Sequence, residues 1–169
     1  MNGRRAMRAP DSPTDTDFDA VVALPFGPFG VRAADGAVSE LVFLPPDTPL
    51  RAPTNDTARI AAEALHDWIE HPEQPFPLPL RECGTPFQRR VWAEISAIPA
   101  GRTRTYGELS ARLGSAARAV GQACGANPYP LVVPCHRVAS ASVLGGFANA
   151  TGGWLLDVKR WLLRHEGAA

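Results

Sequence analysis

Hydrophobic positions along this chain follow two rhythms. Phe18, Ala20, Val22 and Leu24 recur at every second place, which lines up one face of a β-strand over 18–24. Segments 30–34 and 37–44 repeat that pattern on either side of Asp35-Gly36. This dipeptide tolerates the positive φ angles of a two-residue hairpin turn. Pro45, Pro46, Pro49 and Pro53 predict a stiff loop. Over 57–70 the rhythm lengthens, and Ile60, Ala61, Ala64, Leu65, Trp68 and Ile69 form one helical stripe. Pro72, Pro75, Pro77 and Pro79 then predict an extended linker. Ahead of all this, 1–16 is rich in Pro, Asp and Arg with almost nothing to bury, and predicts a disordered tail.

A second unit begins sharply at about residue 84. Thr85-Pro86-Phe87-Gln88 combines an N-cap Thr, a Pro at the first helical position and a Gln at the third. Phe87, Val91, Trp92, Ile95 and Ile98 continue as a buried stripe until Pro99-Ala100-Gly101 stops the helix. Thr105-Tyr106-Gly107-Glu108 is a second capping box and opens a short helix to Leu113. Gly114 breaks that helix, and Ser115 is expected to cap a third one running to about Gly125. Two short helices joined through a Gly turn read as helix-turn-helix. A Pro-containing loop covers 127–137, with Leu131, Val132 and Val133 expected in the core. The last helix runs from 155 to 166 and ends at Gly167. The expected boundaries are a tail at 1–16, an α/β unit at 17–80 and a mostly helical unit at 84–169.

The 169 residues are 45% hydrophobic and 20% charged, enough apolar surface to exclude global disorder. The longest apolar run falls far short of the roughly 20 residues of a membrane helix. Arg4, Arg5 and Arg8 are followed by no apolar stretch of the kind a secretory signal needs. Three cysteines, Cys83, Cys124 and Cys135, fit free thiols in a reducing, intracellular setting. The formal net charge is zero, but it is unevenly spread. Residues 1–83 carry 7 basic and 13 acidic side chains, and 84–169 carry 10 basic and 4 acidic ones. The second unit is therefore at +6, a balance that suits a polyanion such as nucleic acid.

Candidate chemistry centres on Pro134-Cys135-His136-Arg137. A cysteine is nucleophilic as its thiolate, and a nearby imidazole or cation favours that form. Cys135 has both as sequence neighbours and lies in an irregular loop. On the residues alone, a core cysteine beside a surface histidine fits as well. In a strand, adjacent residues point to opposite sides, so contact between Cys135 and His136 requires a bend or a water. Asn127 before Pro128 reads equally as a turn residue, Glu166 as a solvated helix end, Tyr106 as core and Arg118 as a phosphate contact.

Gly84-Thr85-Pro86-Phe87-Gln88, Val91-Trp92, Ile98-Pro99-Ala100-Gly101, Thr105-Tyr106, Arg118-Ala119-Val120-Gly121, Asn127-Pro128, Pro134-Cys135-His136-Arg137-Val138 and Leu162-Leu163-Arg164-His165-Glu166-Gly167 occur in that order. This set resembles the O6-alkylguanine-DNA alkyltransferases, the methylated-DNA–protein-cysteine methyltransferases. The match covers 84–167; the first unit is similar only in its strand, hairpin and helix layout. The resemblance implies a ribonuclease-H-like first unit and a winged helix-turn-helix-like second unit. It further implies stoichiometric transfer of an alkyl group from guanine O6, or thymine O4, to Cys135. His136 would act as base through a water, Glu166 would orient His136, and Asn127 would brace the turn. Tyr106 would donate a proton and help rotate the nucleotide. Arg118 would fill the gap left by the extruded base, beside DNA contacts at Thr105, Ser115, Ala117, Gly121 and Gln122. Val138, Phe147, Pro130 and Trp92 would line the base pocket. Small residues on the recognition helix suit the minor groove of duplex DNA. The resemblance implies a monomer in the cytoplasm, associated with the nucleoid when DNA-bound, using no cofactor.

Departures from the family pattern are local. The usual Gly-Tyr-x-Gly-Gly run is replaced by a longer segment over 145–153 in which Phe147 stands for Tyr, and Thr105 replaces a Ser. Cys83 and Cys124 match no catalytic position, and no Cys/His cluster in 1–80 suggests a zinc site. Two other functions fit parts of the pattern. A non-catalytic lesion binder would lack the acceptor that Cys135 offers. An unrelated thiol hydrolase would have no use for Tyr106, Arg118 and the basic half.

Overall fold

The computed structural model describes residues 18–74, 76, 78–139 and 153–168. The proposed tail at 1–16, Pro75 and Pro77 of the linker, and Phe147 with most of the 145–153 segment lie outside the described residues. The chain divides into two compact units between Glu82 and Cys83.

The first unit is a three-stranded antiparallel sheet, β1 (Ala20–Leu24), β2 (Gly27–Ala34) and β3 (Ala37–Phe43), in the order β1-β2-β3. Asp35 and Gly36 join β2 to β3 with φ values of 54° and 82°, the left-handed pair that the sequence predicts. Strand β2 begins three residues before the expected 30, because Pro25-Phe26 turns β1 directly into it and pairs Leu24 with Gly27. Helix α1 (Asp56–Glu70) packs on the sheet and is capped by Asn55, whose Oδ1 accepts from the Ala58 amide at 2.8 Å. Its buried stripe is Ala58, Ala61, Leu65 and Trp68, while Ile60 is 48% exposed. The helix is thus rotated from the expected face, with the smaller Ala58 and Ala61 against the sheet. On β1, Val21 is buried as well as the alternating set, and it clusters with Phe18 and Leu44. Both sheet edges are occupied: Arg51 bridges to Val21, and Leu80 bridges to Val38. The end of the Pro-rich stretch is therefore a partner of β3 and not a free linker.

The second unit holds α2 (Pro86–Ser96), α3 (Tyr106–Leu113), α4 (Ala117–Gly125) and α5 (Trp154–Glu166), with a two-residue parallel pair, β4 (Arg104–Thr105) and β5 (Val138–Ala139). Both expected capping boxes form. Gln88 N donates to Thr85 Oγ1 at 3.1 Å while Thr85 N donates back to Gln88 Oε1 at 2.9 Å, and Thr105 and Glu108 repeat the exchange. Gly114 ends α3 in the left-handed conformation, and Gly167 does the same for α5. Ser115 does not cap α4. Its amide donates to Ser110 O at 3.0 Å and so completes the stop of α3, while Ala116 precedes α4 with no side-chain cap. Helices α2, α3 and α4 pack together, and Trp92 ties them by donating its indole N–H to Ala123 O at 2.8 Å. Leu131 and Val133 are buried as expected, and Val132 is half-buried. Among the described residues no helix is long and apolar enough to cross a membrane, and no group of three or more His, Cys, Asp or Glu is placed to hold a metal ion.

Candidate active site

The stretch between α4 and β5 is fixed by one side chain. Asn127 donates through Nδ2 to Val133 O at 2.9 Å and to Cys135 Sγ at 3.1 Å, and its Oδ1 accepts from the Tyr129 amide at 2.9 Å. Leu131 adopts a φ of 75° within this fold-back, unusual for a branched side chain, and its burial holds it there. Beyond Pro134 the backbone tightens into a 3-10 turn, Cys135–Arg137. This turn sends consecutive side chains in different directions. Cys135 Sγ turns back toward α4, whereas His136 and Arg137 turn toward α5.

Glu166, with a fully buried side chain on the last turn of α5, collects three donors. His136 Nε2 approaches Oε2 at 2.9 Å, Arg137 Nη2 donates to Oε2 at 2.7 Å, and Arg137 Nε donates to Oε1 at 3.0 Å. Burial alone would raise this carboxyl's pKa, but the hydrogen bonds from His136 and Arg137 outweigh burial and bring it down to about 2. Glu166 is therefore ionised at neutral pH and must accept at both oxygens. It follows that His136 carries its proton on Nε2 and its lone pair on Nδ1. His136 is 1% exposed, and that burial lowers its pKa against the pull of Glu166, so it is neutral near pH 7. Gly101, at a φ of 86°, permits the approach of α5, since a Cβ there would meet Glu166 O at 3.1 Å.

Arg137 does not act on the cysteine as its sequence position suggests. It is 6% exposed, and its third donor, Nη1, reaches Ile98 O at 2.8 Å. The resting thiol is correspondingly not activated: the hydrogen bond with Cys124, followed by burial, pushes the Cys135 pKa well up. The cation that does act on the thiols is one the sequence reading passed over. Lys159 of α5 is 0% exposed, donates to Val138 O at 2.8 Å, and eases ionisation of both Cys135 and Cys124. Burial lowers its own pKa to about 8. Its signal lay in the helical period, since Lys159 interrupts the apolar face of Leu156, Leu162 and Leu163.

Cys124, read from sequence as packing, has its carbonyl oxygen 3.6 Å from Cys135 Sγ. Tyr106, the first residue of α3, is held to about pKa 12 by burial with Cys124 and Cys135 nearby, and so keeps its hydroxyl proton. Its ring passes 4.0 Å from where a Cβ on Gly121 would stand. Arg118 is exposed in the first turn of α4, with Ala117 exposed beside it and Gln122 exposed one turn on. Thr105 caps α3. Of the expected pocket residues, Val138 is buried in β5, Pro130 bridges to Val133, and Trp92 lies in the α2–α4 packing.

Residues 86–168 match the family described as 6-O-methylguanine DNA methyltransferase, DNA binding domain. The methylated-DNA–protein-cysteine methyltransferase of Salmonella typhimurium is 56% identical over 86 residues, 50% of this chain and 48% of its own. This chain thus spans about half the length of the first curated relatives it matches. The methyltransferase of the same name from Methanosarcina acetivorans is 33% identical over 159 residues, 89% of this chain and 99% of its own. The crystal structure of Mycobacterium tuberculosis OGT in complex with DNA matches at a TM-score of 0.70 and 33% identity, covering 88% of this chain and 91% of that one. With identity of 33% sustained over 89% of its length, the chain belongs to the methylated-DNA–protein-cysteine methyltransferase family.

Proposed function

We propose that this protein repairs alkylated DNA directly, moving the alkyl group of O6-methylguanine or O4-methylthymine in duplex DNA onto Cys135, once per molecule. Cys135 gives its proton through a water to His136 Nδ1, which Glu166 holds in the tautomer that accepts it. The thiolate lone pair forms the S–C bond, the C–O bond breaks, and the guanine anion takes the Tyr106 hydroxyl proton. The imidazolium proton returns through water to the tyrosinate, so protons balance. A thioether is no leaving group at neutral pH, so the acceptor is consumed. The damaged base is the alkyl donor, and the balance calls for no cofactor and no metal.

The observation that carries this reading is that Asn127 holds Cys135 while Glu166 holds the adjacent His136, in a chain of this family. A thiol that stays protonated at rest, next in the chain to a neutral imidazole, supports deprotonation through a water coupled to substrate arrival. The sheet-and-helix layout supports a ribonuclease-H-like first unit over 17–80. Helix α3, Gly114 and α4 support a winged helix-turn-helix-like second unit over 84–169, with α4 as recognition helix. Small side chains at Ala117 and Gly121 suit a minor groove, with Thr105, Ser115 and Gln122 beside the backbone and Arg118 in the space of a flipped nucleotide. Val138, Pro130, Trp92 and Phe147 would wall the base. We assign a monomer acting inside the cell.

Intact mass after incubation with an O6-methylguanine oligonucleotide tests this. The protein should gain about 14 Da once, at Cys135, and Cys135→Ala should gain nothing while still binding DNA. Repeated turnover, or labelling at Cys83 or Cys124, would overturn it.

A further inference from the structure

The alkyl transfer proposed above uses one of two cysteines that the fold brings together at the end of α4. Cys124 is the penultimate residue of α4 and Cys135 opens the 3-10 turn, with ten residues between them. The fold-back closes that gap: the Cys135 thiol stands 3.6 Å from the backbone carbonyl oxygen of Cys124 and donates to it. Asn127 grips both residues, its amide donating to Cys124 O at 3.2 Å and its Nδ2 to Cys135 Sγ at 3.1 Å. Both cysteines are free and partly exposed.

We infer that Cys124 and Cys135 form an oxidation-sensitive dithiol, which a peroxide closes to an intramolecular disulfide that masks the alkyl acceptor, and which a small thiol reopens. The chemistry runs in two steps. Cys124, whose thiol pKa is lowered by neighbouring Cys135 and, against its burial, by Lys159, attacks a peroxide oxygen. The O–O bond breaks, leaving a sulfenic acid on Cys124 and hydroxide. Cys135 then displaces hydroxide from that sulfur: the S–S bond forms and the S–O bond breaks. Two thiols and one peroxide give one disulfide and two waters. Formation of the disulfide does not depend on the alkyl-acceptor reading. Its consequence for repair rests on the alkyl-acceptor reading, since a sulfur held in a disulfide cannot attack an alkyl carbon.

Reaction of the full-length protein with hydrogen peroxide tests both parts separately. No Lys or Arg falls between Arg118 and Arg137, so trypsin releases both cysteines on one peptide, 119–137. That peptide should become about 2 Da lighter and refuse iodoacetamide, and dithiothreitol should restore its mass and thiols. Recovery of methyl acceptance should track recovery of the thiols. In Cys124→Ser the 2 Da loss should vanish. Cys135 should then gain oxygen irreversibly, and dithiothreitol should rescue at least about tenfold less acceptor. Cys124→Ala should behave alike, which excludes an effect of the serine hydroxyl. The inference is overturned if wild-type 119–137 gains oxygen without the 2 Da loss, or if both variants recover as the wild type does. If the disulfide forms but untreated protein never accepts a methyl group, the acceptor reading fails and the dithiol stands.

Discussion

Replacing Glu166 with Gln would remove a buried charge that three donors face while keeping the side-chain shape. The carboxyl's pKa is brought from an ordinary 4.5 down to about 2 in the folded chain. Since about 1.4 kcal/mol attaches to each pKa unit, its ionised form contributes about 3 kcal/mol to the stability of the second unit near neutrality. The sign follows from the direction. A carboxylate with a depressed folded pKa stabilises fully above its unfolded pKa, and the contribution fades as pH falls from about 4.5 through about 2. Urea denaturation of wild type and Glu166→Gln, read by the fluorescence of Trp92, Trp154 and Trp161, should thus differ by about 3 kcal/mol at pH 7 and by less than about half of that at pH 3. A difference of equal size at both pH values would refute the reasoning, because it would come from packing and not from charge.

Three further outcomes follow from other contacts. Lys159→Met removes the cation that eases ionisation of Cys135, so the pH midpoint for iodoacetamide modification of Cys135 should rise and the rate at pH 7 should fall about tenfold; an unchanged profile would show that Lys159 has no electrostatic effect on the thiol. Arg118→Ala should slow single-turnover repair in duplex DNA far more than reaction with the free modified base, which bears no unstacking cost; equal loss on both substrates would leave Arg118 a structural residue. At Gly84, a φ of 93° and a Cβ that would stand 2.6 Å from the Trp92 ring lead us to expect Gly84→Ala to cost about 2 kcal/mol in urea denaturation. Unaltered stability would mean that the indole can move.

What the sequence shows well is what depends on residues no more than three apart. Thr85 with Gln88, Thr105 with Glu108, and Asp35-Gly36 each carry their geometry in adjacent letters. Ser115 misleads for the same reason: a Ser ahead of a helix is a cap by pattern, but here its amide finishes the preceding helix. The edge bridges at Arg51 and Leu80 are single residues and leave no periodic trace. In the site, Cys135 and His136 stand out as letters, yet the cation acting on Cys135 is Lys159 and not its near neighbour Arg137. The turn sends Arg137 to Glu166 and leaves Cys135 facing Cys124, and no spacing rule connects 135 with 124 or 159. Those meetings are made by tertiary packing of α4 and α5 around the fold-back.

The burial of Arg137 and Lys159 also changes the electrolyte thermodynamics of the second unit. Of its ten basic side chains, these two are internal, and only eight guanidinium groups remain to meet a phosphate backbone. A bound duplex releases about 0.9 condensed counterion per phosphate neutralised. The slope of log affinity against log salt concentration thus has a ceiling of about 7, against about 9 for ten contacts. Arg112 and Arg160 already lie against Glu94 at 2.8 Å and Asp157 at 3.3 Å, and each must exchange a carboxylate for a phosphate before it adds to that slope.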